Sequence, residues 1–304
     1  MARFLVTGAA GFIGRHMVRR LTADGHAVVA VDRRPANFAD PQIDAHTGDL
    51  LTMDLEPLLA GTEYIIHLAG QPGVRESWSQ FADYSRGNIE LTQRLLEALR
   101  GRPALRKFVL ASTSSVYGTA PMPAREDGPA LPVSPYGATK LAAEQLCDLY
   151  GRTTGLPWLA LRYFTVYGPG QRPDMAFTRW LKAARDDTPI QIYGAGDQVR
   201  DFTYVADLVA ATARAALVPA RSMAINVGGG RQVPIREAIR TIEAIAGKPL
   251  RVEHLPPAPG DMAVTRAATF RLAREVGLVP STGLEEGLRR QYEWILRGGD
   301  PHDE

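Results

Sequence analysis

Tyr136 and Lys140, four residues apart in Tyr136-Gly137-Ala138-Thr139-Lys140, are the pair in this chain best suited to proton chemistry. Residues at that spacing share one face of a helix. The ammonium can hold the phenol and a ribose together, and its charge is expected to lower the phenol pKa from about 10 toward the working range. A phenolate so placed takes the proton of a carbinol while hydride leaves the same carbon. A hydroxyl cluster, Ser112-Thr113-Ser114-Ser115, stands two elements earlier, at the end of the β-prone run Phe108 to Ala111. The C-terminal edge of a sheet is where α/β folds bind ligands.

A hydride needs an acceptor, and the first residues of the chain supply a place for one. Gly8-Ala9-Ala10-Gly11-Phe12-Ile13-Gly14 lies between a strand, Arg3 to Thr7, and a helical pattern from Phe12 to Thr22. Glycines permit a tight turn and close approach of backbone to a pyrophosphate, whose charge meets the helix N-terminus. Asp32 ends the second strand, Ala27 to Val31, where a carboxylate accepts hydrogen bonds from the adenosine ribose. It repels a 2′-phosphate, so the cofactor is expected to be NAD and not NADP, although Arg33 and Arg34 follow directly. Gly48-Asp49-Leu50 reads either as an adenine contact or as a simple turn.

The elements that must carry these groups alternate. Strands are expected at Tyr64 to Ala69, Phe108 to Ser112 and Leu159 to Tyr163, and helices at Asn88 to Arg100 and Tyr136 to Gly151. Ser134-Pro135 is a helix start signal. Alternation of this kind predicts an α/β fold with a parallel sheet covered on both faces. Beyond about residue 166 turn residues accumulate, which predicts a smaller lobe. The division expected is 1–165 for the cofactor, with 198–228 returning to that part, and 166–304 mainly for substrate.

Composition narrows the class. The chain has 304 residues and a formal charge of +2, which offers no electrostatic case for nucleic acid or a membrane surface. No stretch approaches the roughly 20 apolar residues of a membrane span. The single cysteine, Cys147, excludes an intrachain disulfide, is expected to be inert packing, and suits a reducing cytoplasm. The histidines show no metal spacing, and His67 is expected to be a satisfied strand-end residue lining the cofactor pocket.

Taken together, Gly8-x-x-Gly11-x-x-Gly14, Ser112-Thr113-Ser114-Ser115-Val116-Tyr117-Gly118 and Tyr136-x-x-x-Lys140 resemble the extended short-chain dehydrogenases acting on nucleotide sugars, the NAD-dependent epimerase/dehydratase family. His67-Leu68-Ala69-Gly70, Arg162-Tyr163-Phe164, Arg200-Asp201-Phe202-Thr203-Tyr204-Val205-Ala206-Asp207 and Pro259-Gly260-Asp261 extend the resemblance over nearly the whole chain. It implies a Rossmann-type doubly wound parallel sheet with a smaller C-terminal substrate-binding lobe, tightly held NAD, and a UDP-sugar between the lobes. It also implies a homodimer joined through the helices near 88–100 and 136–151.

By the same resemblance Thr113, Tyr136 and Lys140 are the catalytic residues. Cofactor contacts are expected from Gly8, Gly11, Phe12, Ile13, Gly14, Asp32, Arg33, Asp49, Leu50, Leu68, Ala69, Gly70, Asn88, Tyr136, Lys140 and Phe164. The family's dehydratases place Asp and Glu directly after the catalytic hydroxyl, and its UDP-glucuronate decarboxylases place a Glu second. Ser114 and Ser115 stand here instead and cannot do carboxylate acid–base work, so 4-epimerisation remains.

The stretch Arg162 to Ala176 looks like that of UDP-glucuronate 4-epimerases, with Arg172 as the cation for the C6 carboxylate. Thr165 and Ala258 stand where galactose-type epimerases usually carry Asn and Arg. Thr113, Ser114, Ser115, Thr165 and Arg172 are therefore expected around the sugar. Arg200 is expected at the diphosphate, Asp261 at the ribose and Tyr193 on the uracil. Arg75 could approach the sugar or phosphates, or form an exposed ion pair. UDP-glucose and UDP-N-acetylglucosamine are the alternative substrates, with an atypical dehydratase or a non-catalytic NAD-sensing protein as other functions.

Overall fold

The computed structural model describes residues 1–38, 40–219, 222–256 and 262–299. Its centre is a sheet built from β1 (Arg3–Thr7), β2 (Ala27–Asp32), β3 (Ile43–Thr47), β4 (Tyr64–His67), β5 (Lys107–Thr113) and β6 (Trp158–Tyr163), with the strand Met223–Val227 on its far edge. The seven strands run in the order β3-β2-β1-β4-β5-β6 and then Met223–Val227, and every pairing is parallel. This is the doubly wound Rossmann-type arrangement, and its direction reverses between β1 and β4.

Alternation along the strands sorts side chains to two cores. Phe4, Val6, Val28, Ala30 and Ile66 face the helix Phe12–Ala23, which supplies Met17, Val18 and Leu21. Leu5, Val29, Val31, Ile65 and Phe108 face the other side, where Leu95, Leu96, Ala143 and Cys147 pack down from two helices. Each such apolar side chain contributes about 1.5–3 kcal/mol on burial, so a slip of one residue in any strand would be costly. The first of these cores runs on into the C-terminal part through Phe177, Leu181, Ile239, Ile242 and Leu288. Three helices there, Ala176–Asp186, Ile235–Ala246 and Leu284–Leu296, pack together beside small strand pairs such as Ile190–Tyr193 with Val252–Leu255. The chain does return to the main sheet: the helix Val205–Leu217 packs on Phe12–Ala23, and Met223–Val227 pairs with β6.

Two helices position the chemistry, and one differs from expectation. Pro135–Thr154 starts where the signal predicts: the Ser134 hydroxyl accepts a hydrogen bond from Gly137 N at 3.1 Å, and the helix stops at Gly155 in the left-handed region. The other does not begin at Asn88. Phe81–Tyr84 is already α-helical, Ser85–Glu90 is wound as a π-helix, and Leu91–Ala98 continues as α-helix. A π segment inserts an extra residue into the turn and re-aims what it carries, which here is Asn88. Among the described residues no helix is long and apolar enough to cross a membrane.

Candidate active site

Where the sheet changes direction, the ends of β1 and β4 touch. Thr7 and His67 are register partners, and a Cβ on Gly8 (φ +70°) would lie 2.7 Å from Ala69 N. A Cβ on Gly14 would lie 2.1 Å from Gly8 O, so the helix can start against the strand only with glycine there. The helix Phe12–Ala23 opens at Gly11 with no side-chain cap and no acidic residue in its first turn. Its first N–H groups and the positive end of its dipole therefore suit an anion.

Beneath this turn a chain of hydrogen bonds joins three elements. Thr92 Oγ1 donates to Asn88 O (2.7 Å) and so accepts from His67 Nε2 (3.2 Å). His67 Nδ1 then accepts from Thr7 Oγ1 (2.7 Å), whose lone pair takes Ala69 N (3.1 Å). Burial, helped by the Lys140 charge, lowers the His67 pKa to about 3, so the ring is a neutral fastener between the strand ends. Asn88 spends its amide on Gln71 N (2.9 Å), Gln71 O (3.1 Å) and Thr139 Oγ1 (3.0 Å). It thus braces the loop after β4 against the Tyr136–Lys140 helix.

On the adenosine side of the expected site, Asp32 already holds backbone N–H groups. Asp32 Oδ2 accepts from Ala10 N (3.0 Å) and Oδ1 from Arg34 N (2.9 Å), with Arg34 Nε at 3.6 Å. Arg33 and Arg34 are both exposed, and it is the Arg34 side chain that folds back toward Gly11. An Asp followed by an N–H two residues on is an Asx-turn signal, and it was available in the sequence. Asp49 makes the same kind of turn, accepting from Leu51 N at 2.9 Å, and Leu50 is buried. Phe164 departs from expectation: its side chain is wholly enclosed with Val116, Tyr117, Ala120 and Ala124, so it packs the core and offers no ring to a cofactor.

At the end of β5, Thr113 caps a short 3-10 turn, Ser114–Val116. Its Oγ1 accepts from Ser115 N (3.1 Å), lies 3.3 Å from Ser115 Oγ, and hydrogen-bonds the Tyr136 phenol. Tyr84 packs edge-on against Tyr136, ring centroids 6.1 Å apart, with its hydroxyl tied to Pro72 O at 2.9 Å. The charge of Arg172 reaches both phenols. Burial pushes Tyr136 above its ordinary range, against the opposing influence of Thr113 and the charge of Arg172. That corrects the sequence expectation. Burial lowers Lys140 to about 8, against the opposing charge of Glu144 one turn further on.

Behind the hydroxyls lies a buried polar network. Arg162 forks onto Glu144 (Nε–Oε1 3.0 Å, Nη2–Oε2 2.7 Å) and donates to the Tyr117 hydroxyl (2.9 Å). Ser112 donates to the same Glu144 carboxylate, and Tyr117 donates to Asn226 Oδ1 at 2.6 Å. Arg162 and Glu144 side chains are only 8% and 7% exposed, so water contributes little to holding either charge.

Facing this end of the sheet, Arg172 is paired with Asp174 through Nε–Oδ1 (3.0 Å) and Nη2–Oδ2 (2.8 Å). Thr165 is half-buried, and its carbonyl accepts from Thr203 N at 2.9 Å. Arg200 lies in the strand Val199–Asp201, with Nη1 3.0 Å from Val199 O. Tyr193 does not stand alone: the Arg75 guanidinium covers its ring at 4.1 Å, which joins two residues the sequence treated separately. Ala258 and Asp261, with the Pro259-Gly260-Asp261 segment, lie outside the described residues.

The family model described as the NAD dependent epimerase/dehydratase family matches residues 4–228. The chain belongs to that family. Within it, the chain is 38% identical over 309 residues to a Bacillus subtilis protein described as an uncharacterized UDP-glucose epimerase, covering 96% of this chain and 98% of the other. Its fold is similar to that of the Bacillus cereus UDP-glucuronic acid 4-epimerase in complex with UDP-glucuronic acid and NAD. The TM-score is 0.93, with 38% identity and 97% and 99% of the two chains covered. MoeE5 in complex with UDP-glucuronic acid and NAD is as similar, with TM-score 0.93, 42% identity, and 98% and 100% covered.

Proposed function

We infer that this chain is an NAD-dependent 4-epimerase of a UDP-sugar, and that its substrate is UDP-glucuronate, converted to UDP-galacturonate. Arg172 carries the second part: a cation whose field reaches Tyr136, with Ser114 and Ser115 at the positions where the family's dehydratases carry Asp and Glu. A uronate needs such a cation, and a guanidinium binds a carboxylate bidentately. The likeness to the Bacillus cereus enzyme and to MoeE5 supports this reading. The likeness to a protein described as a UDP-glucose epimerase makes UDP-glucose the second candidate.

The residues at the β1–β4 switch fit NAD. The cradle that Cβ atoms on Gly8 and Gly14 would fill accepts its pyrophosphate, and Asp32 accepts its ribose hydroxyls. When bound, NAD supplies reversible acceptance of the hydride from C4. Tyr136, ionised, takes the C4 hydroxyl proton with Thr113 alongside, and returns it to the 4-keto oxygen once the sugar presents its other face. Lys140 holds a positive charge beneath that exchange.

A 4-keto uronate is a β-keto acid that loses CO₂ readily. In this reading Thr113, Ser114, Ser115, Thr165 and Arg172 hold its carboxylate out of the orientation for that loss. Arg200, Tyr193 and Asp261 serve the diphosphate, uracil and ribose. Residues 1–165 with 198–228 form the cofactor part, and the rest of 166–304 forms the sugar-nucleotide part. The protein works in the cytoplasm as a homodimer through the helices near 88–100 and 136–151, where Leu149 is 45% exposed and Gln93 and Glu97 meet the Tyr150 hydroxyl.

Arg172→Ala tests the assignment. It should raise KM for UDP-glucuronate at least tenfold or divert product to CO₂ release. Unchanged kinetics and product would remove the uronate from the proposal.

A further inference from the structure

The partner that Arg172 already has is a carboxylate. Asp174 meets its Nε and Nη2 with both oxygens, the same two-point geometry a uronate carboxylate would need. The pair is local: Arg125 and Asp127, at the same spacing on the surface, make the same contacts at 3.0 and 2.8 Å. Nothing beyond the Arg-x-Asp spacing is required to form it. The Asp174 side chain is 63% exposed and that of Arg172 37%, so Asp174 can return to water at little cost when another carboxylate takes its place.

We propose that Asp174 is an internal competitor for the substrate carboxylate: it occupies the Arg172 fork until a uronate carboxylate exchanges with it, and so sets how tightly a uronate binds. This rests on the reading of Arg172 given above. The exchange is charge for charge and leaves the number of ion pairs unchanged. A neutral hexose brings nothing to exchange, so it leaves Arg172 paired and turned to Asp174. Asp174 thus keeps the arginine neutralised when no uronate is bound, and it moderates the preference for acidic sugars that Arg172 alone would give. The cost is competition: every uronate that binds must displace Asp174.

Asp174→Asn removes the competing charge while keeping the size of the side chain. Steady-state kinetics of wild type and variant on UDP-glucuronate and UDP-glucose are compared, with thermal melts to confirm equal folding. For the uronate, KM should fall about two- to fivefold, the scale of an exposed ion pair, with kcat within about twofold of wild type. KM for UDP-glucose should not move. Asp174→Glu, which still carries the charge, should keep KM for the uronate nearer to wild type than the Asn variant does. A KM for UDP-glucuronate that is unchanged or higher in Asp174→Asn overturns the proposal, and a rise would make Asp174 a support of Arg172. Arg172→Ala separates the two levels. If it abolishes uronate selectivity while Asp174→Asn fails to lower KM, only the exchange is wrong. If Arg172→Ala changes nothing, the uronate reading falls and the exchange falls with it.

Discussion

Replacing Arg162 by Met would strip the buried network of the cation that forks onto Glu144. Arg162 gives Glu144 a two-point contact at 3.0 and 2.7 Å and gives Tyr117 a third bond at 2.9 Å. Because both side chains are under a tenth exposed, the orphaned Glu144 carboxylate could not recover its hydration. Breaking one side of a buried pair costs about 3–5 kcal/mol. At 1.4 kcal/mol per tenfold, that lowers the folding equilibrium constant by about two to three and a half powers of ten.

Removing both charges, as in Glu144→Gln with Arg162→Met, leaves Ser112 an acceptor and no stranded ion. It should recover at least half of the loss. Equilibrium urea unfolding of the cofactor-free protein, followed by circular dichroism, reads both numbers. An Arg162→Met cost below about 1 kcal/mol, or a double variant as unstable as the single one, would refute the claim that this pair is desolvated and interdependent.

Two further outcomes follow from the same geometry. Tyr136→Phe should lower kcat for epimerisation by about 10²–10⁴ while NAD binding, measured by retention on the purified protein, is kept; a loss under tenfold would remove the phenol from the proton step. Asp201, fully buried, has its carboxyl pushed up to about 6 by burial, with N–H groups of Ala267, Gly229 and Gly230 opposing. Its folded form then binds a proton that the unfolded chain releases near pH 4. The stability it contributes is therefore present below about pH 4 and lost as pH rises through 6. Relative to wild type, Asp201→Asn should gain about 2–3 kcal/mol between pH 4 and pH 7; parallel pH–stability curves would contradict this.

Much of the fold was legible because strand and helix periods are strong in this chain. The strands from Arg3, Ala27, Phe108 and Leu159 stand within a residue or two of expectation, and the Ser134 cap lies where the signal put it. The helix carrying Asn88 was misjudged at its start, because a π turn has no 3.6-residue signature and the apolar stripe becomes regular only at Leu91. In the site, spacing paired Tyr136 with Lys140, and the family resemblance added Thr113 and Arg172. Residue types and spacing could not show that burial outweighs charge on Tyr136, because desolvation is a property of the packed structure. Nor could they show that Arg75 lies on Tyr193, since that contact joins residues 118 positions apart. Phe164 was misplaced because one motif holds both strand-end chemistry and the core behind it.

The most direct test of the whole account is to give the purified protein UDP-glucuronate and, separately, UDP-glucose, and to identify the products by proton NMR. The account predicts equilibration of UDP-glucuronate with UDP-galacturonate, with no net change in NAD, little CO₂ release and far slower turnover of UDP-glucose. Preferred turnover of UDP-glucose, or conversion of the uronate to a decarboxylated pentose, would contradict it.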